Sequence, residues 1–397
     1  MNDSYFQQLN QTLRSYKRAI PSLMIDLDRL DHNLATLQSM ITPDTNFRIV
    51  VKSLPSIPLL DYVMEKSKTN RLMVFHQPFL STLAQHYGSK IDILLGKPMP
   101  VQTIRYFYET LDKQSNFQPP QQLQWLIDTK ARLHQYLELA KTLNQKLLIN
   151  VEIDIGLHRG GLGKLEALRT VLQAIADNPE HLTFTGFMGY DPHIAALPKA
   201  LRSPKKSFRL ANDFYKSCIA LVQQDFPELW NKNLTFNGAG SPTLAFHQTD
   251  ASAPNEVAAG SGLVKPTHFD IPTLKDFKPA CFIATPILKK MQGTTLPMLE
   301  KFKGVMNVFK PAFKQSYFIY GGYWKADYCY PPKTSVNTIF GASTNQSMVN
   351  TSAKVALEVD DFIFLRPSQS EFVFLQFGDM LAFRDGKVVE EWEVLKN

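Results

Sequence analysis

Phe47-Arg48-Ile49-Val50-Val51-Lys52 is an apolar run that closes on a lysine, with Ser53-Leu54-Pro55 immediately after it. Its length and its proline boundary read as a buried strand. A lysine at the carboxyl end of such a strand is unusual, because burying an unpaired ammonium costs several kcal/mol. Outward from it, short apolar runs recur at 22–27, 47–52, 72–75, 91–95, 123–127, 147–154, 182–188 and 233–237. Most of the gaps carry helix-period segments, at 29–40, 56–65, 129–143, 164–177 and 205–224. Eight strands, mostly followed by helices, predict an α/β fold with a parallel (β/α)8 TIM-like barrel over 21–268, and put Lys52 on the second strand.

The pattern changes near residue 270. Long helix-period stretches give way to apolar, β-branched and aromatic runs at 280–290, 305–310, 315–321, 338–341, 361–366, 371–377 and 379–384. Asp385-Gly386 between two such segments is a two-residue hairpin signal. Residues 269–397 therefore read as a C-terminal all-β domain. At the other end, Phe6, Leu9, Leu13 and Tyr16 fall on one face of an N-terminal helix within residues 1–20, expected to pack on the C-terminal domain. The proline-rich 97–122 holds one short helix.

Composition excludes several classes. With 44% hydrophobic and 20% charged residues the chain suits an ordinary globular protein. The net charge of +7 comes without a run of five or six basic residues, which argues against nucleic-acid binding. No apolar stretch approaches a membrane span, so no membrane partner is expected. Three well-separated cysteines, Cys218, Cys281 and Cys329, form no disulfide framework; with no N-terminal signal segment, the expected location is cytoplasmic.

In such barrels the chemistry lies at the carboxyl ends of the strands. A Schiff base to a carbonyl cofactor would give Lys52 a role there. If the cofactor is pyridoxal phosphate, the chain must also supply a phosphate cup and a ring clamp. Asn237-Gly238-Ala239-Gly240-Ser241-Pro242-Thr243 is the best cup: small residues let backbone N–H groups approach phosphate oxygens, and Ser241 and Thr243 add hydroxyls. Gly260-Ser261-Gly262 follows and would close it. The bland alternative is a pair of ordinary Gly/Ser turns. Arg159 lies just past the sixth strand, where a guanidinium would favour an ionised phenolate oxygen. Its alternative is a structural ion pair with Asp154 or Glu152. Tyr190 and His193 would reach the ring or carry protons, although a lone histidine is more often structural.

Together these segments resemble the fold-type III pyridoxal-phosphate enzymes of the alanine racemase-like superfamily, in particular the D-serine dehydratase and D-threonine aldolase branch. The resemblance rests on Pro21-Ser22-Leu23-Met24-Ile25-Asp26-Leu27, the strand ending in Lys52, VEIDIGLHRGG at 151–161, GFMGYDPH at 186–193, NGAGSPT at 237–243, EVAAGSG at 256–262 and the segment 367–392. It implies that Lys52 is the aldimine lysine, that Arg159 faces the cofactor's phenolate oxygen, that Tyr190 flanks its ring, and that Gly238, Gly240, Ser241, Gly260 and Ser261 form the phosphate cup. It also implies an amino-acid substrate and a homodimer. Two departures stand out. The branch carries a Pro-Ser-His-x-Cys or His-x-Asp pair for a divalent metal, whereas this chain has Pro367-Ser368-Gln369-Ser370-Glu371. Glu371 can ligate a hard cation, but Gln369 is a poor replacement for imidazole. The arginine that alanine racemases place beside the pyridine nitrogen is here Ala258-Ala259-Gly260.

Three functions follow from the resemblance. The leading one is a lyase on a D-β-hydroxy amino acid, by dehydration or aldol cleavage. The alternative is an amino-acid racemase or epimerase, which needs a second proton carrier: His193, Tyr190, or Tyr320, Tyr323, Tyr328 or Tyr330 from a partner copy. The third is a pyridoxal-phosphate-binding protein with little turnover, against which the large C-terminal domain argues.

Overall fold

The structure is a computed structural model and describes residues 3–196, 203–249, 251–292, 315–351 and 357–396. Its strands are β1 Ser22–Asp26, β2 Asn46–Val50, β3 Arg71–Val74, β4 Asp92–Leu95, β5 Leu123–Ile127, β6 Leu147–Glu152, β7 Leu182–Met188, β8 Thr235–Gly238 and β9 Glu256–Ala259. They continue as β10 Cys281–Gln292, β11 Gln315–Tyr320, β12 Ala326–Tyr330, β13 Ser335–Val336, β14 Gln346–Thr351, β15 Phe362–Pro367, β16 Met380–Arg384 and β17 Lys387–Trp392.

Strands β2 to β9 form a closed parallel barrel in sequence order, sealed where β9 pairs with β2. The barrel and helices agree with the fold read from the sequence, but the strand membership does not. Ser22–Asp26 is not the first barrel strand. It lies in a separate sheet, antiparallel to β10 and parallel to β16. The closing strand is Glu256–Ala259, four residues that sit between Asn255 and Gly260, after which Ser261–Val264 forms a single helical turn. The physical reason for the first error is that a buried strand followed by a helix (Leu27–Ser39) is locally identical to a barrel unit; only its distant partners distinguish it. The expected numbering therefore shifts by one. Lys52 follows the first barrel strand, the 237–243 loop follows the seventh, and 260–262 follows the eighth.

By contacts the chain divides into two compact units. One comprises 1–33, 263–270 and 276–394; the other comprises 34–262, 271–275 and 395–397. The first contains a nine-stranded sheet among the described residues, ordered β13-β14-β11-β10-β1-β16-β17, with β15 pairing β10 and β12. The helix Asp3–Arg14 buries Phe6, Leu9 and Leu13. Phe6 packs on Phe282, Tyr330 and Phe364 of that sheet. Such aromatic clusters add ring geometry to area burial. Asp385 and Gly386 both have positive φ, as the hairpin signal requires, and join β16 to β17. The apolar run at 338–341 is a turn, not a strand, and 371–377 is turn and bend around a short 3₁₀ segment (Val373–Leu375). The run at 305–310 lies outside the described residues. Among the described residues no helix is long and apolar enough to cross a membrane.

Candidate active site

Barrel strands β8, β9 and β2 are consecutive neighbours, so the three loops expected to form the site leave the barrel side by side. After β2 the chain turns through a short 3₁₀ segment, Val51–Ser53, which lifts Lys52 out of the strand. Its ammonium sits 4.4 Å from the centroid of the Phe75 ring, within cation–π range. Phe75 fits because residue 96 is glycine: a Cβ there would lie 2.2 Å from the ring.

The two small-residue loops interlock. The Ser241 hydroxyl accepts from the Gly262 N–H at 3.0 Å, which leaves its own proton to donate. Ser53 and Ser261 share a hydroxyl contact at 2.8 Å. At Gly240 a Cβ would approach Tyr190 Cε2 to 2.8 Å, and at Gly260 one would meet the Val50 carbonyl at 2.7 Å. These glycines let the two loops pack against Tyr190 and β2. Ala239, between Gly238 and Gly240, holds a φ of +61°, uncommon for a residue with a Cβ. Thr243 differs from expectation. It is fully buried, its hydroxyl accepts from Gly240 N–H at 3.1 Å, and it donates to Asp191 Oδ1 at 2.6 Å. The hydroxyl proton is directed at Asp191 rather than outward.

Beyond β6 the loop folds back on itself: Leu162 N–H donates to the Glu152 carbonyl and Asp154 N–H to the Leu162 carbonyl. Asp154 accepts from the backbone of Gly156 and His158 and from the His158 ring. Burial works against its charge, but those hydrogen bonds outweigh it and hold the carboxyl below its usual range. Asp154 thus pairs with His158, and Arg159 lies with its guanidinium 5.1 Å from the Tyr190 centroid. Glu152, which the sequence suggests only as a partner for Arg159, is pushed up to about 7. Burial is the main cause; Asp128 and Asp154 add to it and Arg159 opposes it. A strand-end glutamate facing two other carboxylates was the available signal. His193 packs by Gly156, with Nε2 3.2 Å from where a Cβ of residue 156 would stand.

The donor set suits a phosphate-bearing carbonyl cofactor. Residues 238–243 and 260–262 present hydroxyls and close-approaching backbone with no carboxylate among them, a lysine amine stands at the neighbouring strand end, and a guanidinium rests against the flanking tyrosine ring. A divalent metal fits less well. In the sheet-bearing unit, Ser368 N–H donates to the Lys325 carbonyl, and the Lys325 ammonium is 2.5 Å from Gln369 Oε1. The only side-chain oxygen Gln369 could give a metal already faces a cation. Among the described residues no group of three or more His, Cys, Asp or Glu side chains is placed to hold a metal ion.

The family described as "Alanine racemase, N-terminal domain" matches residues 25–266. The chain belongs to this family. It is thereby a member of the fold-type III pyridoxal-phosphate superfamily, whose enzymes depend on that cofactor. No curated protein sequence matches it. Among solved structures, D-threonine aldolase from Filomicrobium marinum superposes with a TM-score of 0.71 at 16% identity, covering 96% of this chain and 98% of that one. D-threo-3-hydroxyaspartate dehydratase from Delftia sp. HT23 gives a TM-score of 0.71 at 16% identity, covering 97% and 99%. Alanine racemase from Bacillus anthracis gives 0.68 at 13% identity, covering 96% and 99%. At these identities the likeness is one of fold.

Proposed function

We propose that this chain is a pyridoxal-phosphate-dependent enzyme acting on a D-amino acid, with Lys52 as the amine that holds the cofactor. The observation that carries the reading is the adjacency of β8, β9 and β2, which sets the Lys52 turn beside the two glycine–serine loops. Pyridoxal phosphate, when bound, accepts the electron pair released as a bond to the substrate Cα breaks. In this proposal Lys52 also takes or returns the Cα proton. Arg159 donates to the cofactor's phenolate oxygen and Tyr190 flanks the ring. Gly238, Gly240, Ser241, Gly260 and Ser261 hold the phosphate, with Thr243 bracing them from behind. His193 and Tyr190 are the proton carriers on this chain. The protein acts as a homodimer.

The leading reaction is that of a lyase on a D-β-hydroxy amino acid, giving ammonia and an oxoacid or glycine and an aldehyde. The Lys325–Gln369 contact specifically favours the second reading, a racemase or epimerase, because such chemistry needs no metal at the β-hydroxyl.

Protein saturated with pyridoxal phosphate is expected to show a visible absorbance band that Lys52→Ala abolishes; a wild type with no band would end the proposal. A panel of D- and L-amino acids then separates the reactions. Oxoacid or aldehyde product indicates the lyase, and Cα deuterium exchange from both enantiomers indicates the racemase. Turnover is expected to be unchanged by EDTA or added Mn²⁺ or Zn²⁺. Loss of activity on chelation would restore a metal to the site.

A further inference from the structure

The Tyr190–Asp191 corner is tied to the 238–243 loop by a buried chain of hydrogen bonds that the proposed chemistry does not use. Asp191 is 1% exposed, Thr243 0% and His247 7%. Asp191 Oδ1 accepts from the Thr243 hydroxyl at 2.6 Å, and Asp191 Oδ2 meets His247 Nε2 at 2.8 Å. His247 Nδ1 in turn meets the Ser252 hydroxyl at 2.8 Å. Thr243 also fixes the loop itself: its hydroxyl accepts from Gly240 N–H, and its own N–H donates to the Gly240 carbonyl at 2.9 Å. The Phe208 ring packs edge-on to His247, and Asn212 bonds to Ala251 and Ala253 on either side of Ser252.

Buried carboxyl, imidazole and hydroxyl groups are expensive unless each finds a partner, so such a chain specifies one arrangement of the segments it joins. The segments here are the Tyr190 corner, the 238–243 loop, and the residues carrying His247 and Ser252. Ala239 in that loop holds a left-handed backbone, which persists only where surrounding bonds over-determine it. Gly240, the residue Thr243 grips, also lies against the Tyr190 ring.

We propose that Asp191, acting through Thr243 and His247, is a positioning residue that holds the 238–243 loop in its phosphate-accepting conformation. The inference rests on the cofactor reading above and adds a role for residues outside the cup. The effect falls on the phosphate end of the cofactor and not on its aldehyde end, so its signature is a difference between two probes: pyridoxal phosphate, and pyridoxal, which lacks the phosphate.

The test is titration of both into apoprotein of the wild type, Thr243→Val and Thr243→Ser. Valine keeps the shape and removes the hydroxyl; serine keeps the hydroxyl. Thr243→Val is expected to weaken pyridoxal phosphate binding by about tenfold to a hundredfold, the scale of one charge-assisted hydrogen bond, while leaving pyridoxal within about twofold. Thr243→Ser is expected to restore phosphate-dependent binding to within about threefold. Equal loss of both probes, or no loss of either, would overturn the inference. Should Thr243→Val not fold, Asp191→Asn takes its place: a loss confined to pyridoxal phosphate supports the role, and an equal loss or none overturns it. A wild type that binds neither probe fails the cofactor reading as well. A wild type that binds both while the variants match it fails this inference alone.

Discussion

The two ends of the barrel use glutamate in opposite ways. At the amino end, Glu256 opens β9 with 0% exposure and is held on every side. Arg48 grips it through Nε and Nη2 at 2.5 and 2.9 Å, Arg71 reaches it at 2.9 Å, and Asn237 donates at 2.8 Å. Arg48 also donates to the carbonyls of Leu72 and Asp92, so one guanidinium links β2, β3, β4 and β9. At the carboxyl end, Glu152 closes β6, where burial, Asp128 and Asp154 raise its carboxyl to about 7 against the pull of Arg159. At the amino end opposite charges meet and join strands; at the other end Asp128 and Asp154 stand near Glu152 and Arg159 offsets them only in part. Charge in this barrel thus joins strands where its partners are complete, and lies in the proposed active site where they are not.

Lys52→Ala is the change expected to have the largest effect on the working end. It should abolish the cofactor band and all turnover while leaving the melting temperature of the apoprotein near that of the wild type, read by absorbance and calorimetry. If Lys52→Ala instead unfolds the protein, Lys52 is part of a seal and the contrast between the ends collapses.

Glu256→Gln or Arg48→Met should do the reverse. Removing one member of a buried ion network leaves the other uncompensated and costs about 3–5 kcal/mol. Denaturant unfolding should register that loss. The affinity of the surviving folded protein for pyridoxal phosphate should fall far less than in Lys52→Ala, because Arg71 and Glu256 stand at the first positions of β3 and β9. Arg48→Met with full stability would remove the sealing role.

The sequence made these two ends legible to different degrees. Lys52, Arg159, Tyr190 and the glycine–serine loops stand out as candidates because each is punctuated: an apolar run that stops on a charge, or glycines clustered after a strand. The barrel class could be read from the alternation of strand and helix. Which strands close the barrel could not. Ser22–Asp26 looks like a barrel strand and pairs elsewhere, with β10 and β16, while Glu256–Ala259 is too short and too plain to announce itself. Pairing between segments hundreds of residues apart leaves no local periodicity. Arg48 illustrates the same limit. It sits inside an apolar run, and nothing nearby in sequence points to a partner at residue 256. Thr243 was legible as a loop hydroxyl but not in its direction, since Asp191 lies on a different strand end.

The smallest expected effect is also the most direct test of the under-compensated end. The carboxyl of Glu152 in the folded protein is raised from the ordinary 4.5 to about 7, first by burial and then by Asp128. The folded state therefore prefers the neutral acid more than the unfolded chain does. The resulting stability is fully present below about pH 4.5 and is lost as pH rises through about 7. Allowing for partial solvent screening, the loss is about 2 kcal/mol. Glu152→Gln is neutral at every pH, so its apoprotein should lack this decline, and the difference in stability between variant and wild type should widen in favour of the variant between about pH 5 and pH 8. Urea unfolding of both apoproteins across that range measures it. A wild type and variant whose stabilities run parallel would mean that Glu152 is compensated in the fold as fully as Glu256, and that the two ends differ in their loops alone.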